Sequence, residues 1–267
     1  MLIIGDEKRH SGFPWITLLL IVLNCAAFLA QVGLGDPVTY GYCMVPVEIR
    51  HGEDLVGLTP PVIHEPGSGP VIRTARTVDI RHQPGPRPIY LTLVTSMFLH
   101  GGLLHLFGNM AFLMVFGRNV ERAMGSLLFL AFYIVCGVAA ALVHICVAPY
   151  SAVPYIGASG AISAVIGAYV FLFPVIWMRI WIGFEVIELP AIIVVGAWVL
   201  LQVINTLHAF EAGEVTSGVA YWVHVGGFVA GIIFLITLLI ALRIRYALTP
   251  RSRRGGPLGR PRTHQSV

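Results

Sequence analysis

The residues best suited to chemistry in this chain are one serine and a few histidines that lie within long apolar segments. Ser159 follows Gly157 and Ala158 in one such segment, and His224 lies in another. A serine hydroxyl is a weak nucleophile until a base removes its proton, and histidine is the usual base because its pKa is near neutrality. The two side chains therefore suggest a Ser–His dyad, provided that the fold brings them together.

Two further residues could stabilise the charge that such a nucleophile creates. Attack on a peptide carbonyl builds an oxyanion, which needs preorganised hydrogen-bond donors. His105 and Asn109 are four residues apart and would lie on one face of a helix. Backbone N–H groups around Gly157 and Gly160, at the start of a helix, are additional candidates. We interpret His105 and Asn109 as oxyanion-stabilising residues.

The residue types exclude other proteolytic designs. An aspartyl intramembrane protease needs two carboxylates in the membrane, but all Asp and Glu residues lie outside the apolar segments. A Ser–Lys dyad is excluded because Lys8 is the only lysine. No HExxH motif is present, and the five-residue step from His100 to His105 separates them by roughly 140° on a helix. We therefore expect neither a catalytic metal nor a cofactor.

The composition assigns these residues to a membrane protein. Hydrophobic residues make up 57% of the 267 residues and charged residues only 11%, and the mean hydropathy is +0.82. These values lie outside the range of soluble domains, and a membrane-spanning helix needs about 20 apolar residues. Six uncharged stretches meet this need, namely residues 14–32, 91–116, 126–150, 157–178, 190–210 and 220–242. We predict an all-α membrane protein with a bundle of six transmembrane helices.

The charges predict the orientation of this bundle. Twelve of the 17 Lys and Arg residues fall on one side, which favours the cytoplasm for both termini. This gives a cytoplasmic segment 1–13, a membrane domain 14–242 and a basic cytoplasmic tail 243–267. Residues 33–90 form a long extracytoplasmic loop within the membrane domain, irregular where it is rich in proline. A cleaved signal peptide at 14–32 is disfavoured, because the apolar run is long and lacks a small-x-small site.

In this topology the second, fourth and sixth helices all begin at the outer surface. The second helix starts near His100 and ends near Gly117, after a buried approach segment at 91–99. Ser159 and His224 then lie at one depth. Membrane helices approach closely where small residues line a face. Such faces are formed by Ser159, Ser163 and Gly167 on the fourth helix and by His224, Gly227 and Gly231 on the sixth. We predict that these faces pack together and bring Ser159 within hydrogen-bond distance of His224.

These motifs resemble the rhomboid family of intramembrane serine proteases. Gly157-Ala158-Ser159-Gly160 is similar to the family's GxSG motif, His100, His105 and Asn109 match its H-x4-H-x3-N pattern, and His224, Gly227 and Gly231 match H-x2-G-x3-G on the sixth helix. The resemblance implies that Ser159 is the nucleophile, His224 the general base, and His105 and Asn109 the oxyanion ligands. It also implies that His100, Gly157 and Gly160 shape the site and that Gly227 and Gly231 pack the helices.

The resemblance extends from about Gly41 to Leu242. Gly117-x3-Glu121-x3-Gly125 is similar to a structural signature of the family, and Val45-Pro46-Val47-Glu48 is typical of prokaryotic members. This implies a multi-pass protein of a prokaryotic plasma membrane. The chain departs from the family at two positions near the histidine. Many members have an aromatic residue at the place of Ser163, stacking on the histidine, and alanine at the place of Val223.

The resemblance implies an endopeptidase that cuts transmembrane segments near the outer membrane face. The expected partners are single-span membrane proteins and the lipid bilayer, without nucleic acid. No acidic residue lies in a span, so His224 must be oriented by packing and local hydrogen bonds rather than by a third catalytic carboxylate. The main alternative is a catalytically inactive relative that binds client helices, although retention of both Ser159 and His224 favours the protease. A small-solute transporter or channel is a third reading.

The four cysteines form no CxxC pair. Cys25 and Cys136 lie in spans and are interpreted as structural. A Cys43–Cys146 disulfide outside the membrane stays open, because spacing alone does not establish connectivity.

Overall fold

The computed structural model describes residues 2–6, 12–59, 80–182, 184–211 and 221–248. The helices are α1 (Trp15–Leu34), α2 (Asp36–Gly41), α3 (Pro46–His51), α4 (Thr92–Thr95), α5 (Leu103–Phe112), α6 (Arg118–Met124), α7 (Ser126–Val147), α8 (Ser159–Leu172), α9 (Ala191–Glu211) and α10 (Tyr221–Leu248). The strands are β1 (Leu2–Asp6), β2 (Gly57–Thr59), β3 (Ile80–His82), β4 (Trp177–Ile182) and β5 (Glu185–Pro190). Most of the Pro-rich part of the first loop and the tail beyond 248 lie outside the described residues, as do the predictions that concern them.

Four helices in the described part of the chain are long and apolar enough to cross a membrane. They are Trp15–Leu34, Leu103–Met124, Ser126–Val147 and Tyr221–Arg243. The second of these joins α5 to α6 through a π-helical turn, Leu113–Gly117. Two further apolar helices, Ser159–Leu172 and Ala191–Asn205, are shorter. A mostly helical membrane bundle is therefore present, and the count of six spans stays a prediction.

The approach segment before α5 is present in the structure. A 3-10 turn, the short helix α4 and a second 3-10 turn occupy Ile89–Phe98 and bury Thr92, Ser96 and Met97. The chain then reaches α5 through His100-Gly101-Gly102. The helix begins three residues later than the sequence predicted.

The helix α8 lies at the centre of the bundle. Ten of its 14 residues are buried, and seven of these belong to one hydrophobic cluster with residues of α6, α7 and α9. Small residues dominate this helix, so its neighbours approach its backbone closely. Tyr169 near its C-terminal end packs edge-on against Phe116, with ring centroids 4.9 Å apart.

The all-α prediction is wrong in one respect. The strands β4 and β5 form a hairpin, and β1 adds a third antiparallel strand beside β4. The predicted fourth span ran to residue 178, whereas α8 ends at Leu172. Side chains alternate along β4, because Met178 and Ile180 are buried while Trp177 and Trp181 are exposed. An uncharged run does not distinguish this two-residue period from a helix.

Glu121 ties the start of α1 to the end of α6. Its carboxylate accepts hydrogen bonds from the backbone N–H groups of Ile16 (2.9 Å) and Thr17 (2.8 Å) and from the hydroxyls of Thr17 (2.7 Å) and Ser126 (2.6 Å). The first N–H groups of a helix lack intrahelical partners, and negative charge is favourable there. The Gly117-x3-Glu121-x3-Gly125 signature thus fixes how α1 joins the bundle.

The first loop contains a buried acid next to a buried histidine. Glu48 is 4% exposed and His82 is 2% exposed, and 3.9 Å separate Glu48 Oε1 from His82 Nδ1. Burial raises the pKa of Glu48 to about 7, aided by the negative charge of Asp54 and opposed by a hydrogen bond from the Leu55 N–H. Burial lowers the pKa of His82, opposed by the charge of Asp54.

We expect Glu48→Gln to make the protein more stable than the wild type at pH 8 but not at pH 4.5. The raised pKa means that the folded state stays protonated while the unfolded state ionises, so wild-type stability falls between pH 4.5 and about 7. Glutamine removes this dependence and keeps an oxygen for the N–H of Leu55, 3.1 Å from Glu48 Oε1. The neighbouring titratable groups, His82, Asp54 and the Cys43 thiol, are present in both proteins. Thermal unfolding in detergent at the two pH values measures the effect, and an equal Tm difference at both would contradict it.

All four cysteines are free thiols, so Cys43 and Cys146 do not pair. Cys43 is buried, and its thiol donates to the carbonyl of Tyr40 at 3.1 Å. Burial raises the pKa of the Cys43 thiol above its ordinary range, and the charge of Glu48 adds to this. Cys136 is buried in α7, in agreement with a structural role.

Candidate active site

Ser159 is the first residue of α8, and the loop before it is held from two sides. Met44 and Tyr155 exchange backbone hydrogen bonds of 3.1 and 2.7 Å, and the N–H of Gly157 donates to the carbonyl of Ser96 at 2.9 Å. The N–H of Ile162 then closes the first helical turn on the carbonyl of Ala158 at 3.0 Å. The first loop and the approach segment therefore fix the position of the serine.

The predicted contact between Ser159 and His224 is present. His224 lies in the first turn of α10, and its Nε2 is 2.9 Å from Ser159 Oγ. Its other ring nitrogen, Nδ1, is 2.8 Å from Oε1 of Gln202 on α9. An amide oxygen only accepts hydrogen bonds, so this pairing assigns the proton to Nδ1 and leaves Nε2 to accept from the serine hydroxyl. That is the tautomer a general base requires.

The glycines assigned to helix packing lie in the contact between α8 and α10. A methyl group added to Gly227 would collide with the carbonyl oxygen of Gly160, and one added to Gly231 would collide with that of Ala164. A methyl group on Gly160 would lie 2.6 Å from Val223 Cγ1. Missing side chains at these positions allow the two helices to approach until Ser159 and His224 touch.

His105 directs a donor towards the serine. Its Nδ1 accepts a hydrogen bond of 3.3 Å from the N–H of Gly101, so Nε2 carries the ring proton. A methyl group built on Gly157 would lie 3.1 Å from His105 Nε2 and 3.6 Å from Ser159 Oγ. The donor and the hydroxyl therefore border the same small space. Gly157 has a φ of +134°, which favours glycine independently of this crowding.

Asn109 contributes a second donor one helical turn below His105. The residue is 8% exposed, and its Nδ2 has no hydrogen-bond partner among the described residues. A buried amide that lacks a partner costs free energy, so such groups call for a specific explanation. An acceptor on a bound ligand would supply the missing bond.

His100 lies in the loop that precedes α5 and contacts both α1 and His105. Its N–H donates to Oε1 of Gln31 at 2.8 Å, and Nε2 of Gln31 donates to its carbonyl at 3.2 Å. Its ring packs edge-on against the ring of His105, with centroids 5.2 Å apart. The amide of Gln31 thus anchors the donor helix to α1.

A cavity of about 360 Å³ joins these residues. Its lining includes His105, Asn109, Tyr155, Ser159, Trp198 and His224. A second cavity, of about 430 Å³, lies on the far side of His105 between α1 and the loop at His100. In the described part of the chain, no group of three or more His, Cys, Asp or Glu residues could hold a metal ion.

Sequence reasoning missed the two glutamines, Gln31 and Gln202. Both are uncharged, and only ionisable side chains stand out when membrane segments are searched for costly residues. Neutral amides in an apolar helix are also costly unless they form hydrogen bonds. Each glutamine therefore indicated a hydrogen-bond partner within the bundle.

The comparison with known families matches the part of the chain that contains these residues. The family model described as Rhomboid domain matches residues 88–241. The chain belongs to the rhomboid family. The matched range includes Ser159 and His224, and also the other residues assigned to the site, namely His100, His105, Asn109, Gly157 and Gly160. It leaves out the first loop before residue 88, although the sequence resemblance extended to about Gly41.

Three curated relatives show how far the similarity extends. This rhomboid is 24% identical over 265 residues to RHOMBOID-like protein 4 of Arabidopsis thaliana, covering 96% of the chain and 60% of that protein. It is 31% identical over 134 residues to Rhomboid-like protein 11, chloroplastic, of the same plant, covering 50% and 44%. It is 38% identical over 80 residues to Rhomboid protease GluP of Bacillus subtilis (strain 168), covering 30% and 15%. The chain spans at most 60% of the length of these relatives.

Family membership and the apolar helices make this rhomboid an integral, multi-pass membrane protein. The family acts on membrane proteins within the bilayer, as intramembrane proteases or as rhomboid-like proteins.

Proposed function

We propose that this rhomboid is an intramembrane serine endopeptidase that cuts transmembrane segments of single-span proteins near the outer membrane face. The observation that carries the proposal is the 2.9 Å contact between Ser159 Oγ and His224 Nε2, with the remaining ring proton of His224 engaged by Gln202. A serine and a histidine used only for helix packing would not need this tautomer.

The reaction proceeds in two halves. Ser159 Oγ attacks a peptide carbonyl carbon while His224 Nε2 takes the hydroxyl proton, which gives a tetrahedral oxyanion and an imidazolium. The C–N bond then breaks, and His224 returns the proton to the leaving amine. In the second half, water attacks the resulting ester while His224 takes a proton from it. The ester C–O bond then breaks, and His224 returns the proton to Ser159 Oγ, which releases the new carboxyl terminus and regenerates the serine.

The donors that would bind the oxyanion converge from two helices. His105 Nε2–H and Asn109 Nδ2 lie on α5, and the first N–H groups of α8 have no intrahelical partner. Preorganised donors of this kind stabilise the charge that develops in the transition state.

The arginine distribution supports the orientation of the site. We place both termini in the cytoplasm of a plasma membrane, the membrane domain at 14–242 and the loop 33–90 outside. The starts of α8 and α10 then lie near the outer face. A membrane helix hides its carbonyls in its own hydrogen bonds, so substrates should carry small or helix-breaking residues near their outer end.

Substitution of either oxyanion donor should lower turnover. We expect His105→Ala and Asn109→Ala to reduce kcat by about 10- to 1,000-fold each, because each removes one preorganised donor. Asn109→Asp keeps the shape without the N–H and should lose at least as much as alanine. Initial cleavage rates in detergent measure the effect, and unchanged turnover in both alanine variants would refute the role.

The direct test of the function uses purified protein and a single-span reporter substrate. The protein and its Ser159→Ala variant are incubated with the reporter in detergent, and the cleavage products and bound reporter are measured. The proposal predicts cleavage by the wild type alone. Equal binding by both proteins without cleavage would instead support a binding protein for client helices.

A further inference from the structure

The orientation of His224 is not provided by α8, the helix that carries the serine. Gly160 has no side chain to hold the ring. Ser163, one turn after Ser159, is small, and its hydroxyl donates at 2.7 Å to the carbonyl of Ser159. The helix α8 therefore offers the imidazole a hydrogen-bond partner in Ser159 but no group that fixes its far nitrogen.

The helix α9 supplies what α8 lacks. Gln202 is 8% exposed although its neighbours Leu200 and Leu201 are 60% and 54% exposed, so its amide turns inward. Its Oε1 lies 2.8 Å from His224 Nδ1. Trp198, one turn earlier on α9, lies beside the same imidazole, with ring centroids 6.2 Å apart and the planes inclined by 39°. The imidazole is thus held between Ser159 and two side chains of α9.

We propose that Gln202 is a positioning residue for the proton transfer, which holds His224 in the tautomer and rotamer that face Ser159. The inference rests on the proposed function. A ring that carried its proton on Nε2 would donate to the serine instead of accepting from it, and could not act as the base. When His224 becomes an imidazolium, the carbonyl dipole of Gln202 also faces the ring N–H that carries part of the new charge.

Two substitutions of similar size separate positioning from simple packing. Gln202→Met fills the space but replaces the amide oxygen with a thioether sulfur, which is only a weak acceptor, and Gln202→Glu keeps an acceptor oxygen. We expect Gln202→Met to lower kcat by roughly 10- to 100-fold with KM changed less than about twofold, since substrate binding is untouched. At pH 8, Gln202→Glu should retain kcat within about threefold of the wild type, because a carboxylate also accepts the Nδ1 proton.

Leu201→Ala is the matched control, because this exposed neighbour on α9 does not face the site. It should keep wild-type kcat. All rates should be measured at a temperature well below the Tm of every variant. Wild-type turnover in Gln202→Met, or equal losses in the Met and Glu variants, would overturn the inference. If the wild type cleaves nothing, the proposed function has failed instead.

A second measurement is independent of turnover. Nitrogen-15 NMR of histidine-labelled protein reports the tautomer, and the His224 signals are assigned by their loss in His224→Ala. We expect a proton on Nδ1 in the wild type and in Gln202→Glu, and a mixture of tautomers in Gln202→Met. A wild-type ring protonated on Nε2, or an unchanged spectrum in Gln202→Met, would contradict the positioning role.

Discussion

Substitution of Ser159 or His224 with alanine should each lower the cleavage rate by about 10³-fold or more, and the double variant should be little worse than Ser159→Ala. The reason is that the two side chains act as one unit. Without the hydroxyl nothing attacks the carbonyl, and without the imidazole 2.9 Å away nothing removes the hydroxyl proton. If the two side chains contributed independently, the double variant would instead lose the product of the two single rate factors. Initial rates of the three variants on one single-span substrate distinguish these cases.

A serine-directed phosphonate tests the same unit without a peptide substrate. Wild-type protein should be labelled at Ser159, and labelling should fall sharply in His224→Ala because the base is missing. His51→Ala is a suitable control, since this exposed histidine lies at the end of α3 in the first loop. If His224→Ala is labelled and cleaves as fast as the wild type, the dyad is wrong and the binding alternative gains support.

The sequence predicted the centre of this site because its geometry follows from local rules. Uncharged runs placed the starts of α8 and α10 at one depth, and small residues at helical spacing showed which faces could approach. The structure brings Ser159 and His224 together on those faces. The residue pair His105 and Asn109 likewise needed only the four-residue period of a helix.

What the sequence did not predict depends on tertiary contacts. Gln202 and Gln31 act across 22 and 69 residues of chain, and no local pattern assigns their partners. The hairpin of β4 and β5 begins at the end of an uncharged run and was therefore not predicted. Hydropathy alone does not detect the two-residue alternation at Met178 and Ile180. The π-helical turn at Leu113–Gly117 has no composition signal that we identified.

Gly231→Ala should destabilise the protein although it adds a single methyl group. That methyl would collide with the carbonyl oxygen of Ala164, and its next contacts, Ala164 C and Cα, lie at 2.8 Å. These are backbone atoms of the most buried helix, so α10 must move away from α8 rather than a side chain yielding. Overpacking of this kind costs about 1–3 kcal/mol, which corresponds to a Tm lowered by roughly 2–12 °C.

The same movement of α10 away from α8 should also displace His224, because Gly231 lies two turns from His224 on α10. Separation of the helices lengthens the contact from His224 to Ser159, so cleavage should fall by about tenfold or more even below the Tm. Gly196→Ala is the matched control: a methyl group there meets no described atom within 4 Å, and alanine favours the helix. Thermal unfolding and cleavage rates of the two alanine variants measure both effects. If Gly231→Ala is as stable and as active as Gly196→Ala, the close approach of α8 and α10 does not hold the dyad together.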